Sequence, residues 1–251
     1  MNIENLKDVF TNHVEDYDMN ERAIQKKYYH SFRVMDFCKE IAHNIDLNEE
    51  DTYLAMVIGL LHDYSRFEQW QKFKTYSDIS SVDHADLAIE RLFEDSEIKN
   101  FNIREDYYEI ISDAIKYHNK YSYPENLAER NKLFCKIIRD ADKLDIIYLL
   151  GLVEDKVKED EADISENVKE NFYNNKLIKR VKGISNSDNV ILKLAMIFDL
   201  NFEYSYKYIS DNKLMDKMLE TLEYKDKFKP YFNYANEYVK ERNKRYVRKK
   251  I

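Results

Sequence analysis

Gly59-Leu60-Leu61-His62-Asp63-Tyr64-Ser65-Arg66 closes a strongly apolar stretch with two groups that are hard to bury. The stretch itself, Tyr53 to Leu61, reads as helix. Asn48 supplies an N-terminal cap, and Glu49, Glu50 and Asp51 fall in the first turn, where the helix dipole favours acids. An imidazole and a carboxylate placed directly after such a helix need partners, and a divalent metal satisfies both at once. One His-Asp pair is a weak signal. Its weight depends on whether other residues of ligand type face the same interior.

Working outward, the 251 residues contain only three glycines (Gly59, Gly151, Gly183) and two prolines (Pro124, Pro230). A β-rich fold needs more frequent turn residues than this, so long helices with polar connections are expected. Twenty-one tyrosines and thirteen phenylalanines supply core volume despite the high charge content. The formal charge of −8 argues against nucleic-acid or anionic-membrane binding. Cys38 and Cys135 lie in apolar helical patterns and read as reduced core residues. The start, Met1-Asn2-Ile3-Glu4-Asn5, has no basic cluster or signal-length apolar core, and no stretch approaches a membrane span. A cytoplasmic protein is the expectation.

The periodicity predicts a short helix within residues 1–20, a second from Glu21 or Tyr29 to Asn44, and the helix ending at Leu61. Phe67 to Val82 reads as an irregular, polar and aromatic loop. Helices follow at about Asp83 to Phe93 and Asp106 to His118, then a loop through Tyr123-Pro124-Glu125-Asn126. Arg130 to Leu152 is apolar on several sides and therefore central. Glu154 to Asn167 is acidic and reads as exposed. Val190 to Tyr208 and Lys213 to Tyr246 read as two further helices, and the basic end, Lys240 to Lys250, as a solvated terminus. The expected organisation is an N-terminal helix (residues 1–24), a helical core (25–152) and a C-terminal helical extension packed on it (153–251).

Helical arithmetic sorts the six histidines. His30 leads the stripe Val34, Phe37, Ile41 and points inward. His62 follows Leu54 and Ile58, and His118 follows Ile111 and Ala114, at offsets of seven or eight and four. His84 opens its helix four residues before Ala88. His43 lies thirteen residues beyond His30, about 220° around the helix, so it and His13 read as surface or loop residues. An acidic partner comes from Ile137-Ile138-Arg139-Asp140-Ala141-Asp142-Lys143-Leu144-Asp145. Asp142 and Asp145 share one buried stripe and Asp140 lies about 200° from Asp142. Periodicity alone leaves Asp140 and Asp142 as alternatives. A single inward histidine is most simply a hydrogen-bonded core residue. Four of them with two buried aspartates, on five helices, carry a heavy desolvation cost without an ion between them. Mixed imidazole and carboxylate donors suit manganese, iron, nickel, cobalt or zinc better than calcium.

The order His30, His62-Asp63, Asp142 resembles the H…HD…D signature of the HD-domain superfamily of metal-dependent phosphohydrolases. Ala141-Asp142-Lys143-Leu144-Asp145 is similar to its last motif, which selects Asp142 as ligand and leaves Asp140 and Asp145 behind it. His62 to Gln69 is similar to the HD-x-x-R-F-E-Q of a group of small bacterial HD proteins. The resemblance spans roughly residues 25–150. It implies an all-α domain of the HD type with a C-terminal helical extension. It also implies one ion on His30, His62, Asp63 and Asp142, and a second on His84 and His118, with Asp63 bridging and Asn119 beside His118. His118-Asn119 departs from the double histidine of the cyclic-dinucleotide phosphodiesterases, and their Gly-Tyr-Pro motif is absent, which argues against that substrate.

The activity so implied is hydrolysis of a phosphate ester or anhydride in a nucleotide-like small molecule by metal-activated water, with one or two divalent transition-metal ions as cofactor. Asp63 is the residue on which the catalytic site depends. Arg66 and Lys143 are the candidates to hold phosphate oxygens, against the plainer reading of each as a salt bridge. Phe67, Trp70, Phe73 and Tyr76 are more simply packing residues than a base-stacking surface. The same donors serve the di-iron oxygenases of the superfamily, which stand as the alternative, followed by a metal-binding regulatory protein without turnover.

Overall fold

A computed structural model of the chain describes residues 2–152 and 158–247, with side chains through residue 244. The protein is all-α, and no strand occurs among the described residues. The chain divides into two compact units, Met1–Asp142 and Lys143–Ile251.

In the first unit, α1 (Ile3–Glu15) is capped by the Asn2 side chain, which accepts from the backbone N–H groups of Glu4 and Asn5. It buries Leu6, Phe10 and Val14, a four-residue repeat. Each contributes about 1.5–3 kcal/mol of apolar transfer. Phe10 packs edge-on against Phe32 and Phe67, joining α1 to the two helices that carry those rings. Helices α2 (Arg22–Asn44) and α3 (Glu49–Leu61) lie side by side. Gly59 makes the approach possible: a Cβ there would lie 2.8 Å from Met35 Cα and 2.9 Å from Cys38 Sγ. The Asn48 cap and the acidic first turn are as expected, with Asn48 Oδ1 accepting from Asp51 N at 2.8 Å.

The expected loop from Phe67 to Val82 is largely structured. Arg66–Phe73 forms α4, ended by Lys74 in the left-handed region, and Asp78–Ser80 forms a 3-10 turn. The apolar stripe there is short and contains Gln69, which is fully buried because its amide donates to Asp78, Ser81 and the Val82 carbonyl. A hydrogen-bonded core glutamine leaves no hydrophobic periodicity to read. Beyond it, α5 (His84–Ile89) runs into a π turn at Glu90–Glu94, and a 3-10 turn at Glu105–Tyr107 precedes α6 (Tyr108–Tyr117). Helix α7 (Glu129–Leu150) begins in the first unit and carries Asp140 and Asp142 at its end there.

The second unit holds the rest of α7, α8 (Glu166–Tyr173), α9 (Asn186–Leu194), α10 (Glu203–Asp211), α11 (Leu214–Glu220) and α12 (Lys225–Val247). Two expectations need correction here. Val190 to Tyr208 is interrupted: after α9 the chain makes a 3-10 turn at Ala195–Asp199 and extends at Leu200. The buried Tyr206 hydroxyl donates to the Leu200 carbonyl at 2.8 Å and stabilises that break. Lys213 to Tyr246 is also two helices, because the Glu159 carboxylate accepts from the backbone N–H groups of Glu223 and Tyr224 between them. The acidic stretch is mostly exposed over its described residues, as expected, with Ile164 buried and Asp160 accepting from the N–H groups of Asn186 and Ser187 at the start of α9. Residues 154–157 of that stretch and 248–250 of the basic end lie outside the described residues. Both cysteines are free and buried, and burial pushes the Cys135 thiol up to about 12.

Candidate metal centre

Two of the candidate ligands are set by the same local device. His62 and His118 each occupy the C-cap of their helix, α3 and α6. The last carbonyls of a helix have no intrahelical donor. His62 Nδ1 donates to the Gly59 carbonyl at 2.8 Å, and His118 Nδ1 to the Ile115 carbonyl at 2.7 Å. Each ring satisfies a carbonyl three residues back, which fixes its tautomer and leaves Nε2 as a bare lone pair. His84, the first residue of α5, reaches the same state differently. Its Nδ1 donates to Asp78 Oδ2 at 2.8 Å, and Asp83 caps the helix beneath it.

The Nε2 atoms of these three rings and of His30 converge. His84 Nε2 and His118 Nε2 are 3.0 Å apart, and His62 Nε2 and His30 Nε2 are 3.2 Å apart. All four rings are buried. The His84 and His118 lone pairs, so opposed, repel unless a cation lies between them. Asp63, 2 % exposed, sits between the two pairs and gives each a different oxygen. Its Oδ2 is 3.4 Å from His30 Nε2 and 3.5 Å from His62 Nε2, and its Oδ1 is 3.2 Å from His84 Nε2 and 3.9 Å from His118 Nε2. Asp142 Oδ1 completes the first group, 3.2 Å from His30 and 3.8 Å from His62. Ligand atoms about 2.1 Å from a common ion are separated by about 3.0–3.4 Å in octahedral or tetrahedral geometry. The donor set therefore fits metal ions, with His30, His62 and Asp63 forming one group and Asp63, His84 and His118 another.

The protonation states agree with that fit. Burial pushes His62 down to about 4, and burial together with the neighbouring His84 and His62 holds His118 well below the usual histidine range. Burial alone would raise Asp63, but Lys27, His62 and Arg66 outweigh it and hold the carboxyl well below the usual range. Asp142 is held low in the same way by His30 and His62. Neutral imidazole and ionised carboxylate are the ligand forms.

The other residues singled out in the sequence fall in varied places. Arg66 is held by several acceptors: Nε lies 3.4 Å from Asp63 Oδ1, and one terminal nitrogen donates to Gln69, the Tyr76 carbonyl and Asp78 at 2.6, 2.8 and 2.9 Å. It ties Asp63 to the carboxylate behind His84. Asn119 Nδ2 donates to Asp78 and Asp83 at 3.2 and 3.0 Å. Asp140 and Asp145 are fully buried. Lys143 is 7 % exposed, and its Nζ meets Asp199 Oδ2 at 2.8 Å within the second unit. His43 is exposed. His13 is not a surface residue: it is half-buried on α1 and stacks on Tyr64 with ring centroids 3.9 Å apart.

Two residues in direct contact with the clustered donors were not legible in the sequence. Lys27 Nζ lies 2.6 Å from Asp63 Oδ2. Its position one turn before His30 on α2 is a signal that could have found it. Asp78, the partner of His84, sits in an aperiodic segment and gave none. A cleft of about 370 Å³ among Asn175, Tyr234, Glu237, Tyr238, Glu241 and Arg242 gathers no cluster of metal donors.

In a comparison with protein families, residues 28–147 match the model of the HD domain. This chain carries an HD domain. The match begins two residues before His30 and ends five after Asp142, so the six clustered candidate donors fall inside it. HD domains are largely those of metal-dependent hydrolases. No curated protein and no solved structure matches the chain. Among the described residues, no helix is long and apolar enough to cross a membrane.

Proposed function

We propose that this protein is a metal-dependent phosphohydrolase that cleaves a phosphate ester or anhydride of a nucleotide-like small molecule. The observation that carries the reading is the division of Asp63, whose two oxygens face two separate histidine pairs. Such an arrangement suits a bridging carboxylate between two divalent ions. When bound, such ions would activate water and neutralise charge on phosphoryl oxygens. The chain's own residues prepare the site for that. The Gly59 and Ile115 carbonyls and Asp78 hold three rings with Nε2 inward. Lys27 and Arg66 place two cations at the carboxylate, which favours an anionic substrate over a neutral polyol and hence hydrolysis over oxygenation.

Elemental analysis of the purified protein, followed by a screen of nucleotides and sugar phosphates with added manganese, tests the reading. Asp63→Ala should lose metal and hydrolysis together. Retention of either at the wild-type level refutes the bridging role. Oxygen consumption by iron-loaded protein, with no phosphate release, would move the assignment to the oxygenases.

A further inference from the structure

The closest cationic contact to the bridging carboxylate is made by a residue that the ligand set does not use. Lys27 lies on α2, its Nζ 2.6 Å from Asp63 Oδ2. That oxygen is the one facing His30 and His62, so the ammonium competes with any ion held by this pair. The rivals differ in mobility. The rings are buried, and the His62 Nδ1 is anchored, whereas the Lys27 side chain is 22 % exposed on a flexible stem. The surroundings also offer Nζ somewhere to go. It lies 5.6 Å from the centre of the Tyr76 ring, and Arg66 lies 5.7 Å from the same ring. The Tyr76 hydroxyl donates to the Ala23 carbonyl at 2.9 Å, which fixes that ring to the turn of α2 before Lys27. An ammonium beside a divalent ion is repelled, and a phosphate dianion placed between the two turns both contacts favourable.

We propose that Lys27 is a displaceable counter-ion: it neutralises Asp63 until a divalent ion takes Oδ2, and is then released to hold a phosphoryl oxygen of the substrate. The phosphate half of this proposal rests on the phosphohydrolase reading; the displacement half does not.

The test uses the full chain, stripped by chelation and titrated calorimetrically with Mn²⁺ in phosphate-free buffer. The Mn²⁺-saturated protein is then titrated with inorganic phosphate. Lys27→Met should bind Mn²⁺ about tenfold more tightly and phosphate about tenfold more weakly, the size of one charge-assisted contact. Lys27→Arg, which keeps the charge, should hold phosphate within about threefold of the wild type. Helical circular dichroism verifies folding, and Lys27→Gln, with a polar head, carries the same expectations should the methionine variant fold poorly. Unchanged or weaker Mn²⁺ binding overturns the proposal, because Lys27 would then merely hold Asp63 in place. So does phosphate affinity that is unaffected, or absent from the loaded wild type. Tighter Mn²⁺ with weaker phosphate binding upholds the proposal; where no hydrolysis is found beside it, the phosphohydrolase reading falls together with the assignment of that phosphate to a substrate, and the displacement stands.

Discussion

Gly59→Ala probes the close approach of α2 and α3 on which the His30–His62 pair depends. The added methyl would meet Met35 Cα at 2.8 Å, Cys38 Sγ at 2.9 Å and Met35 N at 3.1 Å. Carbon atoms in ordinary contact stand about 3.5–4.0 Å apart, so the two helices must separate by roughly 1 Å. Alanine in a helix interior gains about 1 kcal/mol over glycine. Overpacking costs about 1–3 kcal/mol, and the upper end applies because two of the three obstructing atoms are backbone and cannot rotate away. The net expectation is a loss of about 2 kcal/mol, equivalent to a fall in Tm of about 4–8 °C for a chain of this size. The shift also spreads the 3.2 Å separation of the His30 and His62 Nε2 atoms, so Mn²⁺ affinity should drop with stability. Thermal unfolding of the metal-free protein and a Mn²⁺ titration measure the two effects. A variant as stable as the wild type, or more so, refutes the packing argument, since helix propensity alone predicts a gain.

The remaining expectations concern the centre itself. His84→Ala or His118→Ala should remove one metal equivalent and leave the other largely in place; unchanged stoichiometry by elemental analysis would show that the second group holds no ion. Asp78→Asn should weaken the second metal about 10–100-fold by loosening the orientation of His84, with the first site little affected, as read by competition with a chelator. The stability of the metal-free protein should fall as pH drops from about 6.5 to about 4. In that window the unfolded chain protonates the residue at position 62 while the folded chain, with His62 lowered to about 4, does not. Folding is therefore opposed by proton uptake in the unfolded state, at about 3 kcal/mol from His62, with His118 adding to it in the same direction. Urea unfolding at stepped pH measures it, and a flat profile would contradict a buried, neutral His62.

Much of the first unit was legible in the chain because its helices are amphipathic or uniformly apolar. The stripes of α1 and α2 and the cap of α3 gave both their position and their inward face. His30, His62, His84 and His118 were separable from His43 by rotation about a helix axis alone, and all four are buried. The same arithmetic misplaced His13, because its burial comes from a stacked Tyr64 supplied by another segment. It also ran Val190 to Tyr208 together, since the Tyr206 hydrogen bond that holds the break at Leu200 leaves the apolar spacing on either side nearly in phase. The α4 region was read as loop because its buried polar group, Gln69, is satisfied by hydrogen bonds that hydropathy does not register.

The sequence by itself determined the all-α class and the donors available for a metal; the tautomers of His62 and His118 became visible only in the structure. Those tautomers follow from the C-cap position of each ring, where a carbonyl three residues back lacks an intrahelical donor. Tertiary structure alone decided which oxygen of Asp63 meets which pair of rings, that Asp78 stands behind His84, and that Lys27 covers Oδ2. Periodicity reports the direction in which a side chain leaves its helix. It carries no information about the distance between helix axes, and metal chemistry depends on that distance to within a few tenths of an ångström.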